Sequence, residues 1–146
     1  MNISIVVDFH ELIHKSLSEN QELAAKLQGI FKELDSSTKY PYLYHKVTSF
    51  KLDTDSLYTY EVEGEVNLYT RTPSDEEVKQ ILYLIEKSIT TPSGFFLSFK
   101  LISSKIFQVE FINSADEITT RIKLKYLSLV QMIHNNWVYP RVGIYV

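Results

Sequence analysis

The sequence predicts an α+β domain: an antiparallel sheet with helices packed on one of its faces. Two features carry this prediction. Apolar and polar side chains alternate through most of residues 58–70, and a capped amphipathic helix follows directly. The aromatic content agrees, because 10 Tyr and 8 Phe accompany a single Trp, and aromatic rings pack well on pleated surfaces. The predicted order of elements is ααββαβββ.

The domain organisation follows from length and composition. A chain of 146 residues has the usual size of one domain, and its apolar fraction of 45% is enough for a core. No internal repeat or Gly/Ser-rich linker divides it. We expect residues 1–133 to form the single domain and residues 134–146 to form a C-terminal extension.

The first two elements are predicted to be a helical hairpin. Asp8 and Glu11 have the spacing of a capping box, so the first helix is expected to begin at Asp8. The apolar residues that follow share one helical face: Phe9, Leu12, Ile13 and Leu17. A second short helix is predicted over residues 22–28, with Gly29 as its stop signal.

The clearest strand signal covers residues 58–70. Apolar Tyr60, Val62 and Val66 alternate with Glu61, Glu63, Glu65 and Asn67. A period of two predicts a strand with one buried face and one solvated face. Pro41 precedes another predicted strand over residues 43–52. Three more strands are predicted over residues 95–102, 106–112 and 118–130.

An amphipathic helix is predicted between the strands. Ser74 and Glu77 form a second capping box, and apolar residues then recur at helical spacing. Those residues are Val78, Ile81, Leu82, Ile85 and Ile89. We expect this stripe to lie on the apolar face of the sheet.

Composition excludes several classes of protein. The sequence contains no Cys, which rules out disulfide scaffolds, thiol catalysis and cysteine-bound metal. A formal net charge of −3 gives no basic field for DNA, so no nucleic-acid specificity is expected. No apolar stretch is long enough to span a membrane, so no membrane association is expected either.

One motif points to an alternative enzymatic function. His10, Glu11 and His14 match the H-E-x-x-H pattern, in which two His bind zinc and the Glu activates water. The helical wheel instead places both His at the flank of the apolar stripe, facing solvent, with Glu11 pointing away. A zinc peptidase that takes Glu33 as a third ligand remains the alternative. No triad and no phosphate-binding Gly motif is present, so we expect no enzyme and no cofactor.

Charged and aromatic side chains predict an interaction surface. Glu61, Glu63 and Glu65 line one strand, and Arg121, Lys123 and Lys125 line the last one. If these strands pair, the charges attract across strands; if they do not pair, the two faces can meet across subunits. Aromatic residues also favour interfaces. The predicted interface residues are Tyr40, Tyr42, Glu61, Glu63, Arg121, Lys123, Trp137 and Tyr139.

The order of short motifs resembles a known family. The motifs are Leu23-Ala24-Ala25-Lys26-Leu27, Gly29-Ile30-Phe31, Tyr40-Pro41-Tyr42-Leu43, Asn67-Leu68-Tyr69-Thr70-Arg71, the helix after Ser74, and Thr120-Arg121-Ile122-Lys123-Leu124-Lys125-Tyr126. Taken in this order, they resemble the tail-completion (tail-to-head joining, or tail terminator) proteins of long-tailed bacteriophages and prophages.

The resemblance implies a structural role without catalysis or cofactor. Proteins of this family form a ring, commonly a hexamer, on the end of the tail tube nearest the head. The implied partners are further copies of the chain, the tail tube protein and the head–tail connector protein. The implied location is the virion tail, after assembly in the cytoplasm of the bacterial host. For residues 134–146 the resemblance implies no role.

Two further alternatives remain open at the level of sequence. One is another head–tail connector or tail component, and the other is a bacterial adaptor or toxin-immunity domain. In a ring, the oppositely charged faces are expected to set the register between neighbours. The apolar stretch over residues 138–146 is expected to lie against the next subunit or to add a strand to it.

Overall fold

The computed structural model describes residues 3–34, 39–52, 58–92 and 98–133. Its elements are α1 (Ser4–Ser18), α2 (Gln21–Ala25), β1 (Ile30–Phe31), β2 (Tyr42–Leu52), β3 (Thr59–Arg71), α3 (Asp75–Thr90), β4 (Phe99–Asn113) and β5 (Thr119–Met132). None of the helices in these residues is long and apolar enough to cross a membrane. Residues 134–146, with Trp137 and Tyr139, lie outside the described residues.

The strands form one sheet in the order β1-β2-β3-β5-β4. β2 pairs with β3, β3 with β5 and β5 with β4, all antiparallel, whereas β1 pairs with β2 in parallel. The α+β class is confirmed, but the sheet is mixed rather than purely antiparallel. β1 has only two residues, too few for any periodicity to reveal it in the sequence.

The core lies between one face of the sheet and the helices α1 and α3. The ring of Phe9 on α1 lies 6.1 Å from the ring of Phe99 and 6.3 Å from that of Tyr126, measured between centroids. Tyr126 is completely buried over Gly64 of β3, where an added Cβ would lie 2.2 Å from its hydroxyl oxygen. A side chain at position 64 is therefore incompatible with this packing.

The helix predicted after Ser74 is confirmed. The Ser74 hydroxyl accepts a hydrogen bond from the backbone N–H of Glu77 at 3.2 Å, which caps α3. The first turn carries three carboxylates, which favour the positive end of the helix dipole. Ile81, Ile85 and Ile89 are buried in the core, as their spacing predicts.

The predicted start of the first helix is wrong. α1 begins at Ser4 and has no side-chain cap. Asp8 lies inside the helix, and its carboxylate accepts a hydrogen bond from the hydroxyl of Ser98 at 2.6 Å. α2 ends at Ala25, before Gly29, because the chain from Gln28 onward bonds to the segment that enters β2. In both places, residues that were expected to mark a helix end, Asp8 and Gly29, instead form long-range hydrogen bonds.

The two strands predicted over residues 95–102 and 106–112 are also wrong as separate elements. β4 is a single strand of 15 residues, whereas residues 93–97 lie outside the described residues. Its register against β5 shifts between Leu101 and Ser103 and again between Ile106 and Gln108. Each bulge adds a residue that reverses the inside–outside alternation, so the period of two is interrupted in the sequence although the strand continues. The order is therefore ααβββαββ.

Candidate interaction surface

The sheet face opposite the helices, called the outer face, carries most of the predicted interface residues. The register places Tyr42 of β2, Tyr69 of β3 and Arg121 of β5 side by side. The outward-pointing residues on both sides of this row are mostly charged or polar. The strand pairing thus gathers side chains that are far apart in the sequence.

An aromatic–arginine cluster, formed by Phe31, Tyr40, Tyr42, Tyr69, Arg71 and Arg121, occupies one end of this face. The rings of Tyr42 and Tyr69 stack with centroids 4.7 Å apart and planes 8° apart. Tyr40 lies 5.4 Å from Tyr42, and the Arg71 guanidinium lies 4.3 Å from the centre of the Tyr40 ring. Burial raises the pKa of Tyr42 and Tyr69, so both phenols stay neutral. The stacked rings and the cation hold each other in place.

Arg71 is positioned by the hairpin between β4 and β5. Its Nε donates to the hydroxyl oxygen of Thr119 at 3.0 Å, and its Nη2 lies 3.9 Å from an Asp116 carboxylate oxygen. Asp116 accepts hydrogen bonds from the Ser114 hydroxyl and from Thr119, and these bonds lower its pKa. Asp116 therefore remains an anion that orders the hairpin beside Arg71.

A second group, the Glu65–Asn67–Arg121 network, adjoins the cluster. Arg121 Nε donates to Asn67 Oδ1 at 2.8 Å, and its Nη2 lies 3.3 Å from Glu65 Oε2. Asn67 Nδ2 donates to the same Glu65 oxygen at 2.9 Å. Glu65 and Asn67 are buried, which corrects the expectation that this side of β3 is solvated. The half-buried Arg121 side chain covers both and balances the charge of Glu65.

The charged strands pair with each other, so the first of the two alternatives for them holds. Besides the Glu65–Arg121 pair, Glu61 lies 3.9 Å from Lys51 of β2, and Lys125 lies 3.6 Å from Glu110 of β4. Glu63 and Lys123 line a depression of about 160 Å³ that also includes Thr48 and Gly64. The charges on this face are thus largely balanced inside one chain.

Sequence reasoning identified part of the surface and missed part of it. The structure brings Tyr40, Tyr42 and Arg121 together at one end, and it places Glu61, Glu63 and Lys123 elsewhere on the same face. Tyr69 and Arg71 were missed as members. The period of two could have identified them. Tyr69 and Arg71 lie an even number of residues from Glu63 and Glu65 on β3, so all four side chains point to the same face.

Three His side chains meet between α1 and β2. His14 Nδ1 lies 2.8 Å from His45 Nε2, and the ring centroids of His10 and His45 are 5.0 Å apart. His45 is completely buried, and its Nδ1 has no hydrogen-bond partner, nor has His10 Nε2. Burial lowers the pKa of all three, and that of His45 to about 3. The expectation of a solvent-facing His pair is corrected: His10 and His14 pack on His45.

This arrangement bears on the peptidase alternative. Glu11 turns away from the His rings, as the helical wheel predicts, and accepts a hydrogen bond from Lys32, which lowers its pKa. Within residues 3–34, 39–52, 58–92 and 98–133, no three His, Cys, Asp or Glu side chains form a group that could hold a metal ion. Glu33 in particular does not join His10 and His14 in such a group. The peptidase alternative thus lacks a complete ligand set in this part of the chain.

Comparison with solved structures finds chains that share this fold. The chain is similar to a protein in the structure "Virion of native gene transfer agent (GTA) particle", with a TM-score of 0.61 and 12% identity over 82% of this chain and 91% of that one. It is also similar to the bacteriophage SPP1 gp17 protein, with a TM-score of 0.56 and 18% identity over 87% of this chain and 89% of that one. No family model and no curated protein matches the sequence.

Proposed function

We propose that the chain is a structural component of a phage or phage-like virion that caps the tail tube and forms the tail side of the head–tail joint. The observation that carries this proposal is the shared fold, which extends over 91% and 89% of the two similar virion and phage chains. The sequence motifs that resemble tail-completion proteins point the same way. In this role the chain needs no catalysis and no cofactor.

The proposed assembly is a homo-oligomeric ring, a hexamer, with heterologous contacts between neighbours. Such contacts use two different surfaces of each subunit, and they close when the rotation between subunits fits. The tail tube protein and the head–tail connector protein are the proposed partners on the two sides of the ring. The virion tail is the proposed location, after assembly in the bacterial cytoplasm.

We assign the aromatic–arginine cluster to the contact with one of these partners. Tyr and Arg are the residue types that dominate the binding energy of protein interfaces, because they bury large area and keep polar ends. Arg71 is exposed and Tyr40 is half-buried, whereas Tyr42 is buried beneath them as a support. Glu61, Glu63, Arg121 and Lys123 extend the same face and give it a mixed polar rim. Trp137 and Tyr139 stay predicted interface residues outside the described part of the chain.

The test is co-sedimentation of the purified chain with purified tail tubes and, separately, with purified connector. The proposal expects binding of the wild-type chain to tube ends, in a small and saturable number of copies per tube. Tyr40→Ala combined with Arg71→Ala is expected to weaken binding to one partner at least tenfold. Lys79→Ala, an exposed change on α3, is the matched control and is expected to bind normally.

Other results of the co-sedimentation experiment would favour an alternative or contradict the proposal. Binding to connector alone would favour the alternative of a connector component, and binding along the whole tube would favour a different tail component. A wild-type chain that binds neither partner would contradict the proposed function. An unchanged affinity of the Tyr40/Arg71 variant for both partners would remove the assignment of the cluster and leave the proposed function intact.

A further inference from the structure

The outer edge of β4 offers backbone groups to another strand. β4 is the last strand of the sheet, so no strand within the described residues lies beside this edge. From Gln108 to Asn113 its ladder with β5 is regular, so this half of the edge is straight. The two bulges and Lys100 and Lys105 protect the other half, in the way that natural sheets block unwanted pairing.

The unprotected half also exposes apolar side chains on one face. Val109 and Phe111 pair with Leu124 and Ile122, two residues buried under the helices, so their side chains lie on the helix-covered face. Despite this position, Val109 is 44% exposed and Phe111 is 64% exposed. Phe107, at the second bulge, is exposed as well. A free strand edge beside exposed apolar side chains is the pattern of a site where an extended segment docks.

We propose that residues 137–146 of a neighbouring copy dock on this edge of β4, with residues 142–146 forming the added strand. In this segment Val142, Ile144 and Val146 alternate with Gly143 and Tyr145, which is the period of a strand with one apolar face. Pro140 precedes the alternating residues, so it removes no hydrogen bond from the new ladder. The apolar face of the added strand covers Val109 and Phe111.

The position and reach of the segment fit this role. The backbone N–H of Ile133 donates to the carbonyl of Ser98 at 3.0 Å, so the described chain ends beside the start of β4. At about 3.3 Å per residue, residues 134–146 extend over roughly 40 Å, which is comparable with the length of a 15-residue strand. A segment leaving one copy at this corner can therefore reach along the β4 edge of the next copy.

A neighbouring copy is favoured over the same chain by the path of the segment. To reach the free edge of its own β4, the segment would have to cross the end of that strand, where the chain arrives from α3. An exchange between copies avoids this crossing and gives a head-to-tail contact of donor and acceptor surfaces. The inference rests on the proposed ring and identifies the contact that closes it.

The sole Trp of the chain, Trp137, reports on this contact. We would record its emission maximum and the mass of the assembly by native mass spectrometry over the same concentration series. The proposal expects the emission to shift to shorter wavelength as the assembly mass rises. The Val109→Lys/Phe111→Lys variant is expected to stay monomeric with solvent-exposed Trp emission, and deletion of residues 137–146 is expected to stay monomeric as well. The matched control is Tyr83→Lys, which changes a residue 62% exposed on α3 and is expected to assemble normally.

Three results would overturn the inference. One is a wild-type chain that stays monomeric with exposed Trp137 at every concentration. Another is buried Trp emission in a monomer, which would mean docking within one chain. The third is a deletion variant, folded by near-ultraviolet circular dichroism, that assembles like the wild type. Binding to tail tubes is a separate readout: tube binding without self-association overturns this inference and the ring but leaves the proposed place of the chain on the tail tube, and self-association without tube binding overturns the proposed function alone.

Discussion

The two faces of the sheet differ in whether their buried polar groups are hydrogen-bonded. On the outer face, Glu65 and Asn67 are buried but bonded to each other and to Arg121. On the helix-covered face, the Tyr126 hydroxyl and one ring nitrogen each of His10 and His45 are buried without a hydrogen-bond partner. The outer face therefore tolerates charge, whereas the covered face tolerates only neutral groups. This difference predicts how each face responds to mutation and to pH.

The largest effect is expected from filling the space under Tyr126. In Gly64→Ala the new Cβ would lie 2.2 Å from the Tyr126 hydroxyl oxygen and 2.8 Å from the backbone oxygen of Lys46. Because neither a buried ring nor a strand backbone moves easily, we expect the free energy of unfolding to fall by about 3 kcal/mol. Urea denaturation measures this change.

Gly29→Ala is the matched control for Gly64→Ala. Its Cβ would meet only the far end of the Phe31 side chain, which can rotate away. The expected loss of stability is therefore smaller than at Gly64. Equal losses of stability in the two variants would mean that the contact with Tyr126 does not cause the effect of Gly64→Ala.

The next largest effect on stability is expected from lowering the pH. His45 has a pKa of about 3 in the fold against an ordinary 6.5, so the unfolded chain binds more protons between these values. Stability is complete above the unfolded pKa and is lost as the pH falls toward the folded pKa. From His45 alone we expect the free energy of unfolding to decrease by about 2 kcal/mol between pH 8 and pH 5. His10 and His14, which contact His45, also have pKa values lowered by burial, so their protonation adds to the loss in the same direction.

His45→Gln provides the comparison for the acid effect. Gln keeps a side-chain N–H that can donate to His14 but does not titrate. We expect this variant to be less stable at neutral pH and to show a flatter dependence on pH in the same range. A pH dependence as steep as that of the wild-type chain would show that other groups cause it.

A smaller loss is expected on the outer face. Arg121→Ala removes the donor to the buried Asn67 oxygen and the cation next to Glu65. Because water can enter on this side, we expect a loss of about 1.5 kcal/mol in thermal or urea unfolding. The control, Lys123→Ala, changes a neighbouring cation of the same face. A loss at Lys123 as large as at Arg121 would argue against the network.

The smallest expected effect is a gain in stability instead of a loss. Tyr126→Phe removes a buried hydroxyl that has no partner and keeps the ring. The variant is expected to be more stable than the wild type by about 0.5–1 kcal/mol, because the polar group no longer loses its hydration on folding. Destabilisation of a similar size in urea would instead mean that the hydroxyl makes a hydrogen bond in solution.

Local patterns predicted those elements whose causes are local. The cap of α3 and the alternation of β3 depend on residues within a few positions of each other, so they could be read from the sequence. The start of α1 could not, because Asp8 bonds to Ser98, which is distant in the chain. β4 could not be recognised as one strand, because its bulges break the alternation.

The interaction surface was predictable to the same limited extent. Residue type alone makes Tyr40, Tyr42 and Arg121 candidates for an interface. That they lie together is decided by the register between β2, β3 and β5, which the sequence does not show. The His cluster shows the same limit. The sequence gives the spacing of His10 and His14 on α1, but only the packing of α1 on β2 brings His45 between them.

The proposed place of the chain in the virion is tested most directly by locating it on intact particles. We would attach an electron-dense label to an exposed α3 residue such as Lys79 and image assembled particles by electron microscopy. The proposal predicts label at a single position on each particle, where the tail meets the head. Label spread along the tail, or particles without label, would contradict it.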